Sequence, residues 1–381
     1  MHIAFLLPEY PHEKLPKSAG IGTSTKNLLK ALIDKGLKIT VFTYFQDKHE
    51  VFKDGDITIH KIKLRKYPVL TWKLNEGIIN KYINKIIKKD AIDILEVVDW
   101  TGITANMNFC IPQVMRLHGS DTFFCHLEGR EIKEANFNRE QKAFQKADKI
   151  VAVSQFVAEK TNSLFDSNKE ITIIPNGIYI NDFQPDISRK VDGMILYFGT
   201  LIRKKGIFEL AYIFNELIQM NNNCHLVLVG NDAIDAAEQR STWEIFQEEL
   251  SAEAIKKVNY LGTVAYDRMK TLINEATVCV FPSLAESFGM VTIEAMALEK
   301  PFVNTDYPWA KEIVKDGETG FLVDPKSHVE FAEKINLLLT DTELASKMAE
   351  KARQEAIKHF DITKIAEENI KIYQSLVEKK L

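Results

Sequence analysis

The sequence predicts an α/β protein of two doubly wound domains, each built on a mostly parallel sheet. Its 381 residues exceed what one ordinary hydrophobic core organises. Short apolar segments alternate with segments of helical periodicity along both halves. A polar stretch without a pattern, residues 182–191, separates the two series. We therefore predict domains at residues 1–185 and 186–359, followed by a last helix at residues 360–381.

The first half opens with a strand–loop–helix–strand unit. Residues 2–7 are apolar, a loop with Gly20 and Gly22 follows, and the second strand is predicted at residues 38–45. The two glycines would let the backbone approach a phosphate. However, the third glycine of a dinucleotide fingerprint is missing and the second strand lacks a terminal acid. A tight turn that needs no ligand is an equally good interpretation.

The rest of the first half continues the alternation. Strands are predicted at residues 92–98, from 113, at 149–153 and at 171–174, and an amphipathic helix at 75–89. Ser154 is expected to cap the helix that follows its strand. His118 comes directly after a strand, and ligands of open α/β sheets gather at the carboxyl ends of strands. A histidine that is only packed or hydrogen-bonded locally is the alternative.

The second half repeats the pattern. Strands are predicted at residues 194–198, 224–230, 258–261, 278–281, 301–304 and 320–323, and helices at 207–220 and 329–339. Arg203, Lys204 and Lys205 lie between the first of these strands and its helix. Cations beside the N-terminus of a helix suit a diphosphate, because charge and backbone donors converge there. A merely solvated basic loop is the alternative.

One stretch of the second half carries the strongest chemical signal. A loop of small residues leads into a helix predicted from about Gly289, and the first turn of a helix suits an anion such as phosphate. Glu286 in the loop and Glu294 in the helix flank this turn. Carboxylates beside an anion site are expected to hold something else, and sugar hydroxyls are the obvious candidates. The stretch therefore indicates a nucleotide-sugar pocket.

Composition narrows the classes of protein. No apolar run approaches 18 residues, which excludes a membrane-spanning helix, and the first residues look like a strand rather than a signal peptide. The four cysteines form no CxxC pair, which argues against a zinc or redox motif and fits a reducing cytoplasm. Residues 61–89 contain nine Lys or Arg and one acid, Glu76. Such a stretch could contact an anionic membrane or a lipid-linked substrate, or it could simply be solvated.

Taken together, these motifs resemble the retaining glycosyltransferases of the GT-B fold, of the large bacterial group-1 (family 4) type. The resemblance spans nearly the whole chain. The two glutamates of the second half have seven residues between them, which is the spacing typical of that family. The matching segments are Gly20 with Gly22, Arg116-Leu-His118-Gly119, Ile174-Pro-Asn-Gly177, Gly199–Gly206, Glu286-Ser-Phe-Gly-Met…Glu294 and Asp316-Gly-Glu-Thr-Gly320.

This resemblance implies two Rossmann-like domains that face a central cleft, with the last helix crossing back to the first domain. It also implies that Glu294 holds the ribose and Glu286 the donor sugar. Lys205 would neutralise the diphosphate, with Gly22 approaching it from the other domain, and His118 would meet the sugar near the reacting carbon. Backbone N–H groups of the segment formed by Phe288, Gly289 and Met290 would reach the sugar or the phosphates.

The chain departs from the family pattern in two places. The position after Gly199 is often Arg in the family and is Thr200 here. Arg203 is the residue we expect to supply the missing cation. The segment from Tyr307 to Glu312 replaces a Gly-Gly-x-Pro-Glu motif, so Glu312 is kept while the glycine approach to the donor is altered.

A metal ion is not expected. Asp54-Gly55-Asp56 matches the Asp-x-Asp metal signature of some glycosyltransferases, but Asp-Gly between alternating residues is the ordinary chemistry of a hairpin turn. Fixed cations and a helix N-terminus can stabilise a leaving diphosphate without a metal. The expected partners are a UDP- or GDP-linked hexose and a glycan or lipid-linked acceptor, without nucleic acid and with peripheral contact to an anionic membrane.

Other functions remain open at this stage. Glycoside hydrolysis by Glu286 and Glu294 is disfavoured, because eight residues of helix span about 12 Å and a retaining glycosidase needs roughly 5–5.5 Å. A nucleotide-sugar epimerase of related two-domain architecture would use the same donor without an acceptor. A protein that only binds the nucleotide sugar is the alternative outside enzymology.

Overall fold

The computed structural model describes residues 1–16, 18 and 20–378. Lys17 and Ala19 of the predicted glycine loop, and residues 379–381 of the predicted last helix, lie outside the described residues. The chain divides into two compact units, Met1–Ile178 with Ile362–Leu381, and Tyr179–Asp361. Within the described ranges, no helix is both long and apolar enough to span a membrane.

The first unit is built on an eight-stranded sheet. Its strands are β1 (His2–Leu7), β2 (Lys38–Gln46), β3 (Glu50–Asp54), β4 (Ile57–Lys63), β5 (Ile94–Val98), β6 (Gln113–Leu117), β7 (Lys149–Ala152) and β8 (Ile171–Ile173). The order across the sheet is β3-β4-β2-β1-β5-β6-β7-β8. Every pair is parallel except β3 with β4. All residues of β1 and β5 are buried, as expected of central parallel strands covered on both faces.

Helices follow most strands of the first unit. They are α1 (Gly20–Asp34), α2 (Thr71–Asp90), α3 (Asp121–Leu127), α4 (Glu134–Lys146) and α5 (Gln155–Leu164). The predicted cap at Ser154 is confirmed, because its hydroxyl accepts a hydrogen bond of 3.2 Å from the Val157 N–H. The strand order reverses between β1 and β5, so the loops after these two strands face a topological switch point, where α/β proteins bind ligands.

The second unit has a six-stranded, fully parallel sheet. Its strands are β9 (Met194–Phe198), β10 (His225–Val229), β11 (Val258–Tyr260), β12 (Val278–Phe281), β13 (Phe302–Thr305) and β14 (Phe321–Val323). The order is β11-β10-β9-β12-β13-β14, with the reversal between β9 and β12. The helices are α6 (Ile207–Met220), α7 (Thr242–Glu248), α8 (Tyr266–Glu275), α9 (Met290–Ala297), α10 (Pro308–Lys311), α11 (His328–Thr340) and α12 (Thr342–His359).

The last helix, α13 (Ile362–Glu378), belongs to the first unit and packs on α1. A buried polar network fixes it there. Arg116 donates from Nε to Glu96 Oε1 at 2.6 Å and from its guanidinium to Asn369, and the Tyr373 hydroxyl donates to the same Glu96. Because all four side chains are buried, each depends on the others for its hydrogen bonds.

The structure bears out the predicted strands and the βαβ organisation, and it corrects the helix count. We did not predict α3, α4, α10 or α12. The buried face of α12 consists largely of alanine, including Ala345, Ala349 and Ala352, and such small side chains give a weak periodic signal. The prediction that Gly20 and Gly22 lie in a loop is wrong, because α1 already begins at Gly20.

Candidate functional site

Two loops meet at the switch point of the second sheet. One follows β9 and contains Arg203–Lys205 in a single 3₁₀ turn, and the other joins β12 to α9. The backbone N–H groups of Leu284 and Ala285 both donate to the Lys204 carbonyl, at 2.8 and 3.1 Å. Gly206 permits this approach. A Cβ there would stand 1.7 Å from the Pro282 carbonyl oxygen, and its φ is +68°.

Lys205 and Glu286 form a direct ion pair at this junction. The Glu286 side chain is 12% exposed and the Lys205 side chain 25% exposed, so the pair opens to solvent on one side. The Ser283 hydroxyl also donates to Glu286, at 3.3 Å. The structure thus brings together two predicted site residues that are 81 positions apart in the chain.

The turn before α9 has the geometry expected of a backbone donor site. Gly289 lies in the left-handed region at φ +100°, next to Phe288, and α9 starts at Met290. Gly289, as the N-cap residue, has no side chain that could cap this end of the helix. The first N–H groups of a helix have no partner within the helix, so they remain available to a bound anion.

Glu294 is a residue of α9, and its side chain is buried. It is 6% exposed, and the Tyr266 hydroxyl donates a hydrogen bond of 2.9 Å to its Oε1. Burial raises the pKa of Glu294 to about 7, against the opposing effects of Tyr266 and Lys270. A carboxylate with this pKa changes charge near neutrality, and its remaining oxygen can accept from a ligand hydroxyl. Tyr266 was missed by the sequence analysis, since nothing in its surroundings marks it.

Arg203, which we predicted to contact the diphosphate, is paired with a carboxylate of the same unit. Its Nε and one terminal nitrogen donate to the two carboxylate oxygens of Asp235, at 3.0 and 3.1 Å, and its guanidinium lies 4.7 Å from the Phe208 ring. Thr200 is tied into the same loop by its carbonyl, which accepts from the Tyr197 hydroxyl at 3.1 Å. Arg203 is paired with Asp235 as Lys205 is paired with Glu286, so either cation must leave a carboxylate before it can contact a diphosphate.

His118 stands at the carboxyl end of β6, as predicted, and is 4% exposed. Burial, and then the neighbouring Arg116 guanidinium, lower the pKa of His118 to about 3, so the imidazole is neutral at physiological pH. Its Nε2 is buried and has no hydrogen-bond partner among the described residues. An unsatisfied buried nitrogen is costly and requires an explanation, and a bound ligand would supply the missing partner.

Two buried carboxylates hold the loop that carries His118. Asp99, directly after β5, accepts the N–H groups of His118 and Gly119, both at 3.0 Å. Burial raises the pKa of Asp99 to about 7, although these two bonds oppose the rise. Glu140 of α4 accepts from the N–H groups of Thr101, Asp121 and Thr122, each at 3.1 Å. The position of Asp99 at a strand end was a signal for its role, whereas nothing in the sequence singled out Glu140.

The glycines after β1 do not form an open loop. Gly20 is the first residue of α1, and the Gly22 N–H donates to the Glu9 carboxylate at 3.0 Å. The backbone donor that we predicted to approach a phosphate is therefore engaged by a side chain of the same unit.

The Asp54-Gly55-Asp56 segment is a hairpin turn, as predicted. Asp54 pairs with Ile57 across β3 and β4, and Gly55 has a φ of +57°. The Asp54 carboxylate accepts from the Tyr10 hydroxyl at 2.8 Å and pairs with Lys26 at 3.0 Å. Within the described part of the chain, no group of three or more His, Cys, Asp or Glu is arranged to hold a metal ion.

Comparison with known proteins decides the family. A model described as glycosyltransferase family 4 matches residues 18–182, and one described as glycosyl transferases group 1 matches residues 181–355. The chain belongs to the group-1 (family 4) glycosyltransferases. The two matches meet at residues 181–182, close to the boundary between the two compact units.

Curated relatives of this glycosyltransferase match it at low identity, over part or nearly all of its length. An uncharacterized glycosyltransferase of Methanocaldococcus jannaschii is 25% identical and covers 99% of each chain. The capsular polysaccharide biosynthesis glycosyltransferase CapM of Staphylococcus aureus is 29% identical over 61% of this chain and 63% of its own.

Solved structures share the fold. Sucrose-phosphate synthase of Thermosynechococcus elongatus superposes with a TM-score of 0.80 at 20% identity, covering 99% of each chain. HepE of Anabaena, determined in complex with UDP-glucose, superposes with a TM-score of 0.78 at 22% identity, covering 99% of this chain and 100% of its own. The predicted fold class of two Rossmann-like GT-B domains is thereby confirmed.

Proposed function

We propose that this glycosyltransferase moves a hexose from a UDP- or GDP-linked sugar to a hydroxyl of a glycan or lipid-linked acceptor in polysaccharide synthesis. The supporting observation is the junction in the second unit, where Lys205 and Glu286 form an ion pair beside the start of α9. A cation, the N–H groups at the start of a helix and two carboxylates match the phosphates and hydroxyls of a nucleotide sugar.

Each donor-binding residue has a distinct proposed role. Glu294 accepts from the ribose hydroxyls and Glu286 from hydroxyls of the donor sugar. The N–H groups of Phe288, Gly289 and Met290 face the sugar or the phosphates. Lys205 exchanges Glu286 for the diphosphate when the donor binds, which releases Glu286 to the sugar. Thr200 and Arg203 have supporting roles in donor binding. Arg203 can contact a phosphate only after it leaves Asp235.

In the first unit, His118 is the proposed contact to the donor sugar. A neutral imidazole with an unpartnered Nε2 exchanges a hydrogen bond with a sugar hydroxyl without adding charge. Gly20 and Gly22 are proposed to face the diphosphate from the first turn of α1. For Gly22 this requires that Glu9 release its N–H.

The proposed reaction breaks the bond between the anomeric carbon and the diphosphate and forms a bond from that carbon to the acceptor oxygen. Negative charge grows on the leaving phosphate, and Lys205 with the N–H groups before α9 stabilises it in place of a metal ion. The departing phosphate accepts the acceptor proton on the same face, so the configuration is retained.

A panel of UDP-, GDP- and ADP-linked sugars tests the proposal. The true donor, which binds the folded state, raises the melting temperature. Analysis of the products then separates the functions: a new glycoside with retained configuration indicates transfer, an altered free nucleotide sugar indicates an epimerase, and an unchanged donor with every acceptor tried indicates binding alone. A panel in which no nucleotide sugar stabilises the protein contradicts the proposal.

We also propose that the enzyme works in the cytoplasm and touches the inner face of an anionic membrane. The support is the exposed face of α2, where Lys81, Lys85 and Lys88 point to solvent while Ile79, Ile83 and Ile86 are buried. Lys61, at the start of the basic stretch, does not contribute to this face, because it is buried and paired with Asp47 at 2.9 Å.

A further inference from the structure

A groove of about 730 Å³ lies at the end of β2 and β4 in the first unit. It is lined by the three exposed cations Lys63, Arg65 and Lys66, together with Phe45, Gln46, Asp47 and Leu64. Among the residues that the structure describes, none of the three cations forms an ion pair. Asp47, the acid in the lining, is already paired with the buried Lys61. The groove therefore carries three uncompensated positive charges.

The backbone beside the groove is irregular. Phe45 has a φ of +58°, in the left-handed region that favours glycine. The register between β2 and β4 shifts between Thr43 and Gln46. Strained residues and bulges persist where the surrounding structure holds them, and they are concentrated near functional sites. Gln46 is buried, and its Oε1 has no hydrogen-bond partner within the described residues. A ligand hydroxyl in the groove would satisfy it.

The groove lies at the same end of the sheet as His118. Strands β4, β2, β1, β5 and β6 are adjacent and parallel, so their carboxyl ends all lie at that end of the sheet. With about 4.8 Å between neighbouring strands, the ends of β2 and β4 stand roughly 14 and 19 Å from the end of β6, where His118 is placed. A ligand that reaches from the groove to His118 must be longer than one sugar ring.

Apolar side chains adjoin the cations. Val69 is 70% exposed, Leu70 65% and Leu74 43%, and they follow Lys66 in the chain. Such exposed aliphatic residues next to unpaired cations match an amphiphile whose head group carries several negative charges. One cation would balance a single carboxylate, whereas three cations suit a phosphate or diphosphate.

We propose that this groove, formed by Phe45–Asp47 and Lys63–Lys66, binds a phosphate or diphosphate group of the acceptor, away from the hydroxyl that receives the sugar. The inference rests on the proposed function and deepens it, since it assigns the acceptor a chemical class. The phosphate can belong to a lipid-linked acceptor or to a soluble phosphorylated glycan, and the experiment distinguishes the two.

The test is a calorimetric titration of the full chain with inorganic pyrophosphate, in the presence of saturating UDP or GDP to occupy the donor site. The groove variant combines Lys63→Ala, Arg65→Ala and Lys66→Ala. The control variant removes the same charge from the exposed lysines of α12 by Lys347→Ala, Lys351→Ala and Lys358→Ala. We expect pyrophosphate to bind the groove variant at least tenfold more weakly than the wild type and the control. Because Lys63, Arg65 and Lys66 are all exposed, the melting temperature of the groove variant should match that of the wild type.

Equal affinity in the wild type and the groove variant would overturn the inference, as would an equal loss in the control variant, which would indicate a general charge effect. If neither UDP nor GDP binds while pyrophosphate binding still depends on the groove, the proposed function fails and the phosphate site stands.

Binding to vesicles of phosphatidylglycerol, compared with phosphatidylcholine, shows whether the phosphate belongs to a lipid or to a soluble acceptor. A lipid phosphate predicts that Val69→Ser with Leu70→Ser weakens vesicle binding and leaves pyrophosphate binding unchanged. A soluble acceptor predicts that this double variant changes neither.

Discussion

The Tyr266 hydroxyl donates a hydrogen bond to the buried Glu294 carboxylate, 28 residues further along the chain. Tyr266 is the first residue of α8 and Glu294 lies in α9, so the bond joins two helices of the second unit. It supplies one partner to a carboxylate whose pKa burial has raised to about 7. The remaining cost of that buried charge has a consequence for stability.

We expect Glu294→Gln to stabilise the protein at pH 8 and to have a much smaller effect at pH 5. The folded-state pKa of Glu294 is about 7 and the ordinary value is 4.5, so the folded state binds more protons between these pH values. Stability of the wild type therefore falls as pH rises through this window, by up to about 3 kcal/mol for this group. Denaturant unfolding at both pH values measures it, with Glu350→Gln at an exposed position as control. A gain of the same size at pH 5 would contradict the prediction.

Replacement of Glu286 by alanine should abolish sugar transfer and spare the fold. The substitution removes the proposed contact to the donor sugar and leaves Lys205 unpaired in a partly exposed position, where an ion pair contributes about 0–1 kcal/mol. The readouts are turnover, as transfer to acceptor or hydrolysis of the donor, and the melting temperature. Glu318→Ala, an exposed acid, is the control. Wild-type turnover in Glu286→Ala would exclude the role proposed for this residue.

Activity should persist in excess chelator. Lys205 and the N–H groups before α9 are proposed to carry the charge of the leaving diphosphate without a divalent ion. Turnover measured in EDTA and after re-addition of Mg²⁺ or Mn²⁺ checks this. Strict dependence on the added ion would return attention to Asp54 and Asp56.

Asp99→Asn should lower turnover at least tenfold by displacing His118. The carboxylate accepts two N–H groups, and an asparagine offers one acceptor oxygen and turns an NH₂ group toward the other donor. An unmet buried donor costs about 1–3 kcal/mol of stability. Turnover and denaturant unfolding at pH 7 measure the two effects, with Asp267→Asn as the exposed control. Turnover equal to that of the control would show that Asp99 does not position His118.

Charge reversal on α2, by Lys85→Glu with Lys88→Glu, should weaken binding to anionic vesicles at least tenfold. A basic residue near such a surface contributes about 1 kcal/mol. Vesicle sedimentation at low salt measures this, and Lys351→Glu with Lys358→Glu on α12 is the matched control. Equal binding of both variants and the wild type would leave the lysines of α2 as solvated residues only.

Much of the fold follows from local patterns. Apolar runs predicted the strands, and the helices with large apolar faces, such as α6, were found with their bounds. The helices that escaped prediction have mostly polar or alanine-rich surfaces, as in α4 and α12. The start of α1 was placed too late because glycine has a poor helix propensity, which the surrounding structure overrode at Gly20 and Gly22.

The sequence by itself determined the family, the alternation of strands and helices, and the residue types of the site, because these depend on local pattern and motif. Only the tertiary structure decided which of these residues touch. The order β10-β9-β12 places the loop with Lys205 against the loop with Glu286, and the order β1-β5-β6 brings Asp99 under His118. Strand order depends on pairings between distant segments, and these are governed by how the apolar faces of the whole unit pack rather than by any short stretch of chain.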